Sequence, residues 1–282
     1  MLMWAPMTTY VTASIDRPQA RDNTIKLWGP EGFVGMRAAG RLAAETLDHL
    51  APMVRPGVET AALDDAAFRF MFERGGWPAP LNYRGFPKSI CTSINHVVCH
   101  GIPGSRRLQE GDCLNIDVTV VLDGWHGDTS RMFTVGDVSL KARRLIDCTY
   151  EAMWRGIEAV KPGARLGEIG HAIQRFAESQ RFSVVRDFCG HGLGRVFHDE
   201  PNVVHAAKRT EGPELRPGMF FTIEPMINAG RADVKVLDDG WTAVTRDRQL
   251  SAQFEHTVGV TENGVEVFTR SPAGLDRPPY AV

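Results

Sequence analysis

The sequence predicts an α+β fold made of two pseudo-symmetric halves, each with two helices followed by strands. Three observations support this fold class: two pairs of segments with helical periodicity, strand-like stretches between and after them, and an internal repeat. The repeat aligns residues 53–70 with 159–176 at an offset of 106, and residues 108–117 with 215–224 at an offset of 107. Similarity at a fixed offset indicates duplicated supersecondary units, and two copies are too few for a solenoid.

Four amphipathic helices are predicted, because apolar or small residues recur at three- and four-residue steps in four segments. The four stripes are Phe33, Met36, Gly40, Ala43, Leu47 and Leu50; Leu63, Ala67 and Phe70; Ile146, Thr149, Met153, Ile157 and Val160; and Leu166, Ile169, Ile173 and Phe176. Each stripe would bury one face of its helix. The two helix pairs precede the two copies of the second repeated segment.

The domain organisation follows the repeat. Residues 1–30 show no clear period, so we expect an extended arm there. The remainder, residues 31–282, is predicted to be a single domain. Its two pseudo-halves are expected at about 31–136 and 137–270.

The stretch "CLNIDVTVVLDGWHGDTSR" (113–131) predicts a β-hairpin, since Asp-Gly at 123–124 is a strong two-residue turn signal. A turn centred there pairs residues whose numbers sum to 247. The resulting pairs are Asp117 with Ser130 and Thr119 with Asp128. Asp117 and Asp128 then share one face, roughly 7–8 Å apart at the backbone, and two such charges both stay ionised only beside a positive charge. The alternative is that one Asp caps the turn and the other lies at a solvated edge.

Further candidate ligands stand in three other segments. His191 and His198 lie in "CGHGLGRVFHDEP", Glu224 in "FTIEPMI" and Glu255 in "QFEHTVGV". Each alone is a weak signal, but four carboxylates on strands of a duplicated sheet, with one His in a glycine-rich loop, predict bound cations. Oxygen ligands with one imidazole suit Mn²⁺, Fe²⁺, Co²⁺ or a catalytic Zn²⁺. Two ions about 3.5–4 Å apart, sharing bridging carboxylates, would satisfy all four acids.

Two features of these segments carry structural expectations. The glycines of "GHGLGR" (190–195) are expected to let the backbone pass close to the metal site. Cys99 and His100 are adjacent, and adjacent residues on a strand point to opposite faces, so we disfavour a thiol protease at that pair.

Composition excludes other classes of protein. The net charge is −2, so no basic surface indicates nucleic acid as a specific partner. No run approaches the roughly 18 apolar residues of a membrane span, and the start lacks a basic segment followed by an apolar one, so we expect no membrane association or export. Five scattered cysteines without a C-x-x-C pair argue against a disulfide framework and favour a reducing cytoplasm.

The motifs also carry a family resemblance. The runs "YRGFPKSICTSINHVVCHGIP" (83–103), "NIDVTVVLDGWHGDTSR", "GHGLGRVFHDEPNV", "FTIEPMI" and "QFEHTV" resemble the signature of type I methionine aminopeptidases. The resemblance covers residues about 31 to 270, in the family's order and spacing. It implies a pita-bread fold, in which the two halves surround a curved antiparallel sheet.

The resemblance also implies a role for each site residue. The metal ligands would be Asp117, Asp128, His191, Glu224 and Glu255, with Asp128 and Glu255 bridging two ions. His100 would contact the scissile amide and help to move a proton, and His198 would steady the oxyanion. The methionine pocket would be lined by Tyr83, Phe86, Cys91, Phe197 and Trp241. Two positions depart from the family, His96 in place of a frequent acid and Phe86 in place of a frequent Tyr, and both would bear on fine selectivity.

The implied activity is hydrolysis of the N-terminal methionine of nascent polypeptides with a small second residue. A hydroxide bridging two divalent ions (Co²⁺, Mn²⁺, Fe²⁺ or Zn²⁺) would be the nucleophile, and Glu224 would carry its proton to the leaving amine. The expected partners are such chains, with transient ribosome contact, and the chain is expected to be a monomer.

Two alternatives share the fold. A proline-specific (Xaa-Pro) aminopeptidase has the same ligands but usually brings a separate amino-terminal domain, for which residues 1–30 are too short. A non-catalytic peptide-binding module is disfavoured because all five ligand positions and both auxiliary histidines are kept.

Overall fold

The computed structural model describes residues 8–17 and 19–280, so the first seven residues of the predicted arm lie outside the described part. Within that part the chain forms four α-helices: α1 Pro30–Leu50, α2 Thr60–Glu73, α3 Leu140–Glu158 and α4 Gly167–Ser179. The strands are β1 Tyr10–Thr12, β2 Ile25–Leu27, β3 Trp77–Pro78, β4 Cys91–Ile94, β5 Val97–Cys99, β6 Cys113–Leu122, β7 Trp125–Thr134, β8 Ser183–Val184, β9 Gly190–Gly192, β10 Asp199–Val203, β11 Phe220–Ile223, β12 Met226–Asn228, β13 Val234–Val236, β14 Ala243–Thr245, β15 Ser251–Gln253, β16 Glu255–Thr261 and β17 Gly264–Val267.

The four helices form where the periodicity predicts them, and their apolar stripes face the core. Met36, Leu47 and Leu50 of α1 are fully buried, for example. Two predicted positions fall outside their helices: α3 ends before Val160, and Leu166 precedes α4. Both side chains are nevertheless buried in the apolar cluster that α3 and α4 enclose, because residues directly after or before a helix can still pack against the same core.

The main sheet is curved and has eleven strands in the described part of the chain. Its order is β1-β2-β10-β9-β11-β16-β7-β6-β3, with β17 on β16 and β4 on β6. Neighbours within the two halves are antiparallel, and β7 pairs with β16 where the halves meet. The sheet therefore runs continuously from one half into the other.

Each helix pair covers its own half of the sheet. Helices α1 and α2 enclose one apolar cluster with β6 and β7, to which Leu114, Ile116, Val118 and Val120 of β6 contribute. Helices α3 and α4 enclose a second cluster with β11 and β16. Because the helices occupy one face of the sheet, the opposite face is free to carry polar side chains.

The repeat is visible in the backbone. Gly57 and Gly163 both adopt left-handed conformations, with φ of +88° and +83°. The amide of Gly57 donates to the carbonyl of Leu108 at 2.8 Å, and that of Gly163 to the carbonyl of Leu215 at 2.9 Å. The same turn thus recurs at corresponding places in the two halves, which confirms the pseudo-symmetry that the repeat predicts.

The amino-terminal segment joins the sheet at its edge. Strand β1 pairs in parallel with β2, and Ile25 of β2 pairs with Glu200 of β10. The segment predicted as an extended arm therefore adds two short strands beside β10. No helix in the described residues combines the length and the apolarity needed to cross a bilayer.

Candidate metal centre

The β6–β7 hairpin places two acids on one face of the sheet. Its register pairs Asp117 with Ser130 and Thr119 with Asp128, which confirms the pairing whose numbers sum to 247. Alternate residues of β6 point into the helix-covered core, so Asp117 occupies the opposite face. The Thr119 hydroxyl donates to Asp128 Oδ1 at 2.7 Å. Asp117 Oδ1 is buried and has no hydrogen-bond partner among the described residues.

The second half contributes two more acids. Glu255 begins β16 and pairs across the sheet with Ser130. Glu224 follows the last residue of β11, so the prediction that all four acids lie on strands is wrong for this one. The Thr222 hydroxyl donates to Glu224 Oε1 at 2.8 Å, and Gln253 Nε2 donates to Oε2 at 3.3 Å. These two bonds hold the carboxylate toward the other acids.

His191 lies at the centre of β9 rather than in the predicted glycine-rich loop. Its flanking glycines serve strand packing, since a Cβ at Gly190 would collide with the Thr222 carbonyl and one at Gly192 with the Glu200 carbonyl. Nδ1 of His191 lies 3.1 Å from the Gly192 carbonyl, which places the proton of a neutral ring on Nδ1. The lone pair of Nε2 then faces the acids.

These five side chains converge at the junction of the halves. His191 Nε2 is 3.5 Å from Asp128 Oδ2 and 3.7 Å from Glu224 Oε1. Ligand atoms of Asp128, His191 and Glu255 all lie within 4.8 Å of one another. Asp117 lines the same cavity.

Burial dominates the electrostatics of the cluster. Burial and the charges of Asp128 and Glu224 raise the pKa of Asp117 well above its ordinary value. Burial, followed by the charge of Asp128, does the same to the pKa of Glu255. Burial also raises the pKa of Glu224 to about 7, against the opposing effect of His191. Burial alone would lower the pKa of His191, but its bond to Asp128 and the charge of Glu224 raise it.

The donor set fits divalent cations. No Lys or Arg among residues 8–17 and 19–280 forms an ion pair with any of the four carboxylates. Four acids and one imidazole without a cationic partner, including the orphaned Asp117 oxygen, are tolerable when metal ions supply the positive charge. Hard oxygen donors with one imidazole match Mn²⁺, Fe²⁺, Co²⁺ and catalytic Zn²⁺.

Two further histidines flank the cluster. Nδ1 of His198 lies 2.9 Å from the Tyr83 hydroxyl. Burial, with the charges of His191 and His100, lowers the pKa of His198 to about 2, and burial lowers the pKa of His100. Both rings are therefore neutral at pH 7 and available as hydrogen-bond donors. Strand β5 ends at Cys99, so the premise that Cys99 and His100 are strand neighbours is wrong; His100 instead has a left-handed φ of +56°.

A cavity of about 360 Å³ opens over the cluster. All twelve site residues named from the sequence line it: Tyr83, Phe86, Cys91, His100, Asp117, Asp128, His191, Phe197, His198, Glu224, Trp241 and Glu255. Phe86 and Trp241 pack edge to face at 5.2 Å, and Cys91 is buried beside Asp117. The cavity thus joins an apolar wall to an acidic floor.

The sequence interpretation missed several lining residues. Thr119, Phe188, Met226 and Arg21 also line the cavity. The hairpin register carried a signal for Thr119, because it already placed this residue opposite Asp128. Phe188, Met226 and Arg21 had no such signal, since their positions depend on how distant segments meet.

Comparisons with known proteins identify the family. Residues 34–262 match the model of metallopeptidase family M24. The chain is 60% identical to a methionine aminopeptidase of Rickettsia prowazekii over 91% of this chain and all of that protein. It is 52% identical to the methionine aminopeptidase of Escherichia coli K12 over 87% of this chain and 94% of that one. The crystal structure of the R. prowazekii enzyme superposes with a TM-score of 0.87 at 59% identity, covering 87% of this chain and all of that chain.

Proposed function

The chain belongs to metallopeptidase family M24, and on that basis we propose that it removes the N-terminal methionine from nascent proteins and peptides with a small second residue. The observation that carries this proposal is one cavity in which three buried acids, the half-buried Asp117 and an imidazole face an apolar wall. The high-identity relatives bear the name methionine aminopeptidase, which supports this activity over a proline-specific one.

We assign five residues to the metal site: Asp117, Asp128, His191, Glu224 and Glu255. We propose two divalent ions per chain (Co²⁺, Mn²⁺, Fe²⁺ or Zn²⁺), with Asp128 and Glu255 as the shared ligands. Divalent ions in such a site polarise a carbonyl and lower the pKa of water from about 15.7 to about 7. Ligand atoms of Asp128, His191 and Glu255 lie within 4.8 Å of one another, which supports placing these residues at one common site.

The chain's own residues supply proton transfer and orientation. We assign Glu224 to carry a proton from water to the leaving amine, because its Oε2 is held by only one long hydrogen bond, from Gln253. The Tyr83 hydroxyl can donate to Nδ1 of His198, which leaves the His198 proton on Nε2. That N–H can stabilise the developing oxyanion, and we assign His100, which lines the same cavity, to contact the scissile amide.

The apolar wall suits a methionine side chain. Phe86, Cys91 and Trp241 offer aromatic rings and a thiol, surfaces on which a polarisable thioether packs favourably. Tyr83 and Phe197, with ring centroids 4.8 Å apart, would close the side of the pocket next to His198. Phe86 is buried and turns its ring edge to Trp241, so we expect it to affect the shape of the pocket rather than the chemistry.

The wider biological setting is also proposed. We propose that residues 31–282 form one catalytic domain, with pseudo-halves of about 31–136 and 137–270, because one sheet runs through both halves. All five cysteines are free, which supports a reducing cytoplasm as the place of action. A substrate that is a nascent chain supports transient contact with the ribosome, and we propose that the working unit is a monomer.

The test is hydrolysis of short peptides by metal-reconstituted protein. We expect Met-Ala-Ser to be cleaved and Met-Lys-Ser to be spared, because we propose that the cavity admits only a small side chain at the second residue. EDTA should abolish cleavage, and adding back Mn²⁺, Co²⁺, Fe²⁺ or Zn²⁺ singly should restore it to different degrees.

Three outcomes would contradict the proposal. Activity that persists in EDTA would exclude metal catalysis. Equal rates on the two peptides would contradict selection for a small second residue. Preferential cleavage of Met-Pro-Ser over Met-Ala-Ser would favour the proline-specific alternative.

A further inference from the structure

The rim of the cavity carries an unexplained charge pattern. Four of its lining residues are exposed: Arg21, Arg84, Asp187 and Asn202. Two arginines against one aspartate leave the rim with a net positive charge, directly above a floor of acids. Neither guanidinium has an ion-pair or hydrogen-bond partner in the part of the chain that the structure describes.

Arg21 reaches the rim because the amino-terminal segment is anchored beside it. Lys26, which is buried, pairs with Asp199 of β10 at 3.3 Å and with Asp22. The Asp22 carboxylate also accepts bonds from the backbone amide and the hydroxyl of Thr24. These bonds close the turn that follows Arg21. The backbone at Arg21 is therefore held in place beside the cavity.

Arg84 reaches the rim from the other half of the molecule. It lies in a short turn at φ of +48°, a conformation that is uncommon for a non-glycine residue. Its guanidinium lies 5.3 Å from the centroid of the Tyr83 ring, whose hydroxyl contacts His198. Arg84 is therefore tied to the side of the cavity where His198 lies.

The two arginines act on the same part of the site. Both line one cavity with His198, the ring assigned to the oxyanion. A substrate whose first residue occupied the apolar wall would place the residues after the scissile bond near the exposed arginines.

We propose that Arg21 and Arg84 form a cationic rim that binds acidic side chains at the third and fourth residues of the substrate. This inference rests on the proposed aminopeptidase function and specifies its substrate class. The amino-terminal segment is then a part of the substrate site and selects chains that carry Asp or Glu after the small second residue.

The test compares three C-terminally amidated peptides: Met-Ala-Asp-Asp-Gly, Met-Ala-Asn-Asn-Gly and Met-Ala-Lys-Lys-Gly. Amidation removes the terminal carboxylate, and the free-acid form of the Asn peptide measures what that carboxylate contributes. An exposed arginine–carboxylate pair is worth roughly threefold, so we expect kcat/KM to favour Asp over Asn by roughly tenfold at low salt. The preference should fall toward one as ionic strength rises, because exposed pairs are screened.

Variants assign the preference to the rim. The double variant Arg21→Gln/Arg84→Gln should reduce the Asp/Asn ratio to about one, and each single variant should give an intermediate ratio. Arg84→Lys should retain most of the preference, since it keeps the charge. Arg17→Gln is the matched control: it removes the same charge from the same segment away from the cavity, and the ratio should stay at the wild-type value.

Each outcome bears on the rim in a different way. Hydrolysis by the wild type with an Asp/Asn ratio near one at low salt overturns the rim and leaves the aminopeptidase function intact. No hydrolysis of any peptide in the presence of metal overturns both. An equal loss of preference in Arg17→Gln would show that net charge, and not the rim, steers the substrate. If the free-acid Asn peptide alone is favoured, the rim binds a chain terminus and the proposal for side chains fails.

Discussion

The two halves of the molecule share a backbone plan but contribute different chemistry to the cavity. Each brings one acid from the repeated strand, Asp117 from β6 and Glu224 after β11, and a second acid from the neighbouring strand. In the first half this neighbour is Asp128 on β7, and in the second it is Glu255 on β16. The carboxylates are therefore arranged with approximate twofold symmetry.

The strands on the other side of the repeated pair differ. In the first half β4 pairs Cys91 with Asp117. In the second half, continuing the register in which Gly192 faces Phe221 puts Cys189 opposite Glu224. Burial raises the pKa of each thiol, and the nearby acid of the same half adds to the shift.

Only the second half adds an imidazole to the acid cluster itself. His191 follows Cys189 by two residues, whereas the residue two after Cys91 is Ser93, which accepts a hydrogen bond from Gly101 at 3.2 Å. The comparison teaches that the repeat accounts for the paired acids, whereas the imidazole beside them comes from one half alone. The cluster of ligand atoms is therefore asymmetric about the junction of the halves.

The largest expected effect on activity comes from replacing the two corresponding acids, Asp117 and Glu224, one at a time. Asp117→Asn and Glu224→Gln should each lower kcat/KM on Met-Ala-Ser about a thousandfold or more, and Glu224→Gln should lose more because it also removes the proton carrier. Both variants should fold, since each removes a charge from a crowded buried site. Glu266→Gln, a change to a surface carboxylate paired with Arg37, is the control and should retain activity.

Near wild-type turnover in either variant, measured at controlled metal concentration, would contradict the assigned site. Equal losses in both would instead place the proton carrier elsewhere.

Removing metal should reveal the repulsion between the halves. In metal-free protein the pKa values of Asp117, Glu224 and Glu255 are raised, that of Glu224 to about 7. Above pH 4.5 these three carboxyl groups bind more protons in the folded than in the unfolded state, so their contribution to stability falls as pH rises through the raised values, whereas buried histidines with a lowered pKa, such as His198, contribute in the opposite sense. We therefore expect Mn²⁺ to raise Tm more at pH 8 than at pH 5, because bound metal offsets the repulsion among the ionised carboxylates. A rise in Tm with Mn²⁺ that is no larger at pH 8 than at pH 5 would contradict the cluster.

Tyr83→Phe probes a contact between the halves. The change removes the hydroxyl that lies 2.9 Å from His198 Nδ1, so His198 loses its fixed tautomer and orientation. We expect kcat to fall roughly fivefold, in line with the loss of one hydrogen bond of about 1 kcal/mol, while KM changes little. Tyr10→Phe, which removes a hydroxyl bonded to the Glu214 carbonyl outside the cavity, should leave kcat unchanged. A change confined to KM would assign Tyr83 to binding alone.

The smallest effect on activity is expected from the two glycines at corresponding turns, Gly57 and Gly163, whose replacement should change stability instead. Gly57→Ala and Gly163→Ala should each lower the free energy of unfolding by about 1–2 kcal/mol, because alanine resists a left-handed backbone and the added Cβ meets no neighbour at either site. Gly104→Ala is the control, since it has equal space without a positive φ and should cost little. Urea denaturation measures all three, and unequal costs at Gly57 and Gly163 would show that the two turns are not equivalent.

Much of the fold was predictable because its signals are local. The stripe through Met36 and Leu47 predicted α1, and the Asp-Gly turn predicted a register that the structure confirms. Both follow from periods and turn chemistry that act within a few residues. The inference failed where the outcome depends on distant partners. His191 was expected in a loop, yet its glycines allow a strand between β10 and β11.

The family resemblance extended the prediction to the site. The motifs placed all twelve site residues in one cavity, and the structure brings them together there. The resemblance began only near residue 31, so it said nothing about the segment that carries Arg21. That residue reaches the cavity through Lys26 and Asp199, whose pairing joins positions far apart in the chain.

The sequence by itself determined the helices, the duplicated plan and the identity of the acids, because periodicity, turn residues and repeat offsets are written along the chain. Only the tertiary structure decided which side chains share the cavity rim, and that the amino-terminal segment lies beside β10. The physical reason is that burial and charge compensation depend on neighbours in space. A carboxylate or guanidinium has no fixed role until folding decides what surrounds it.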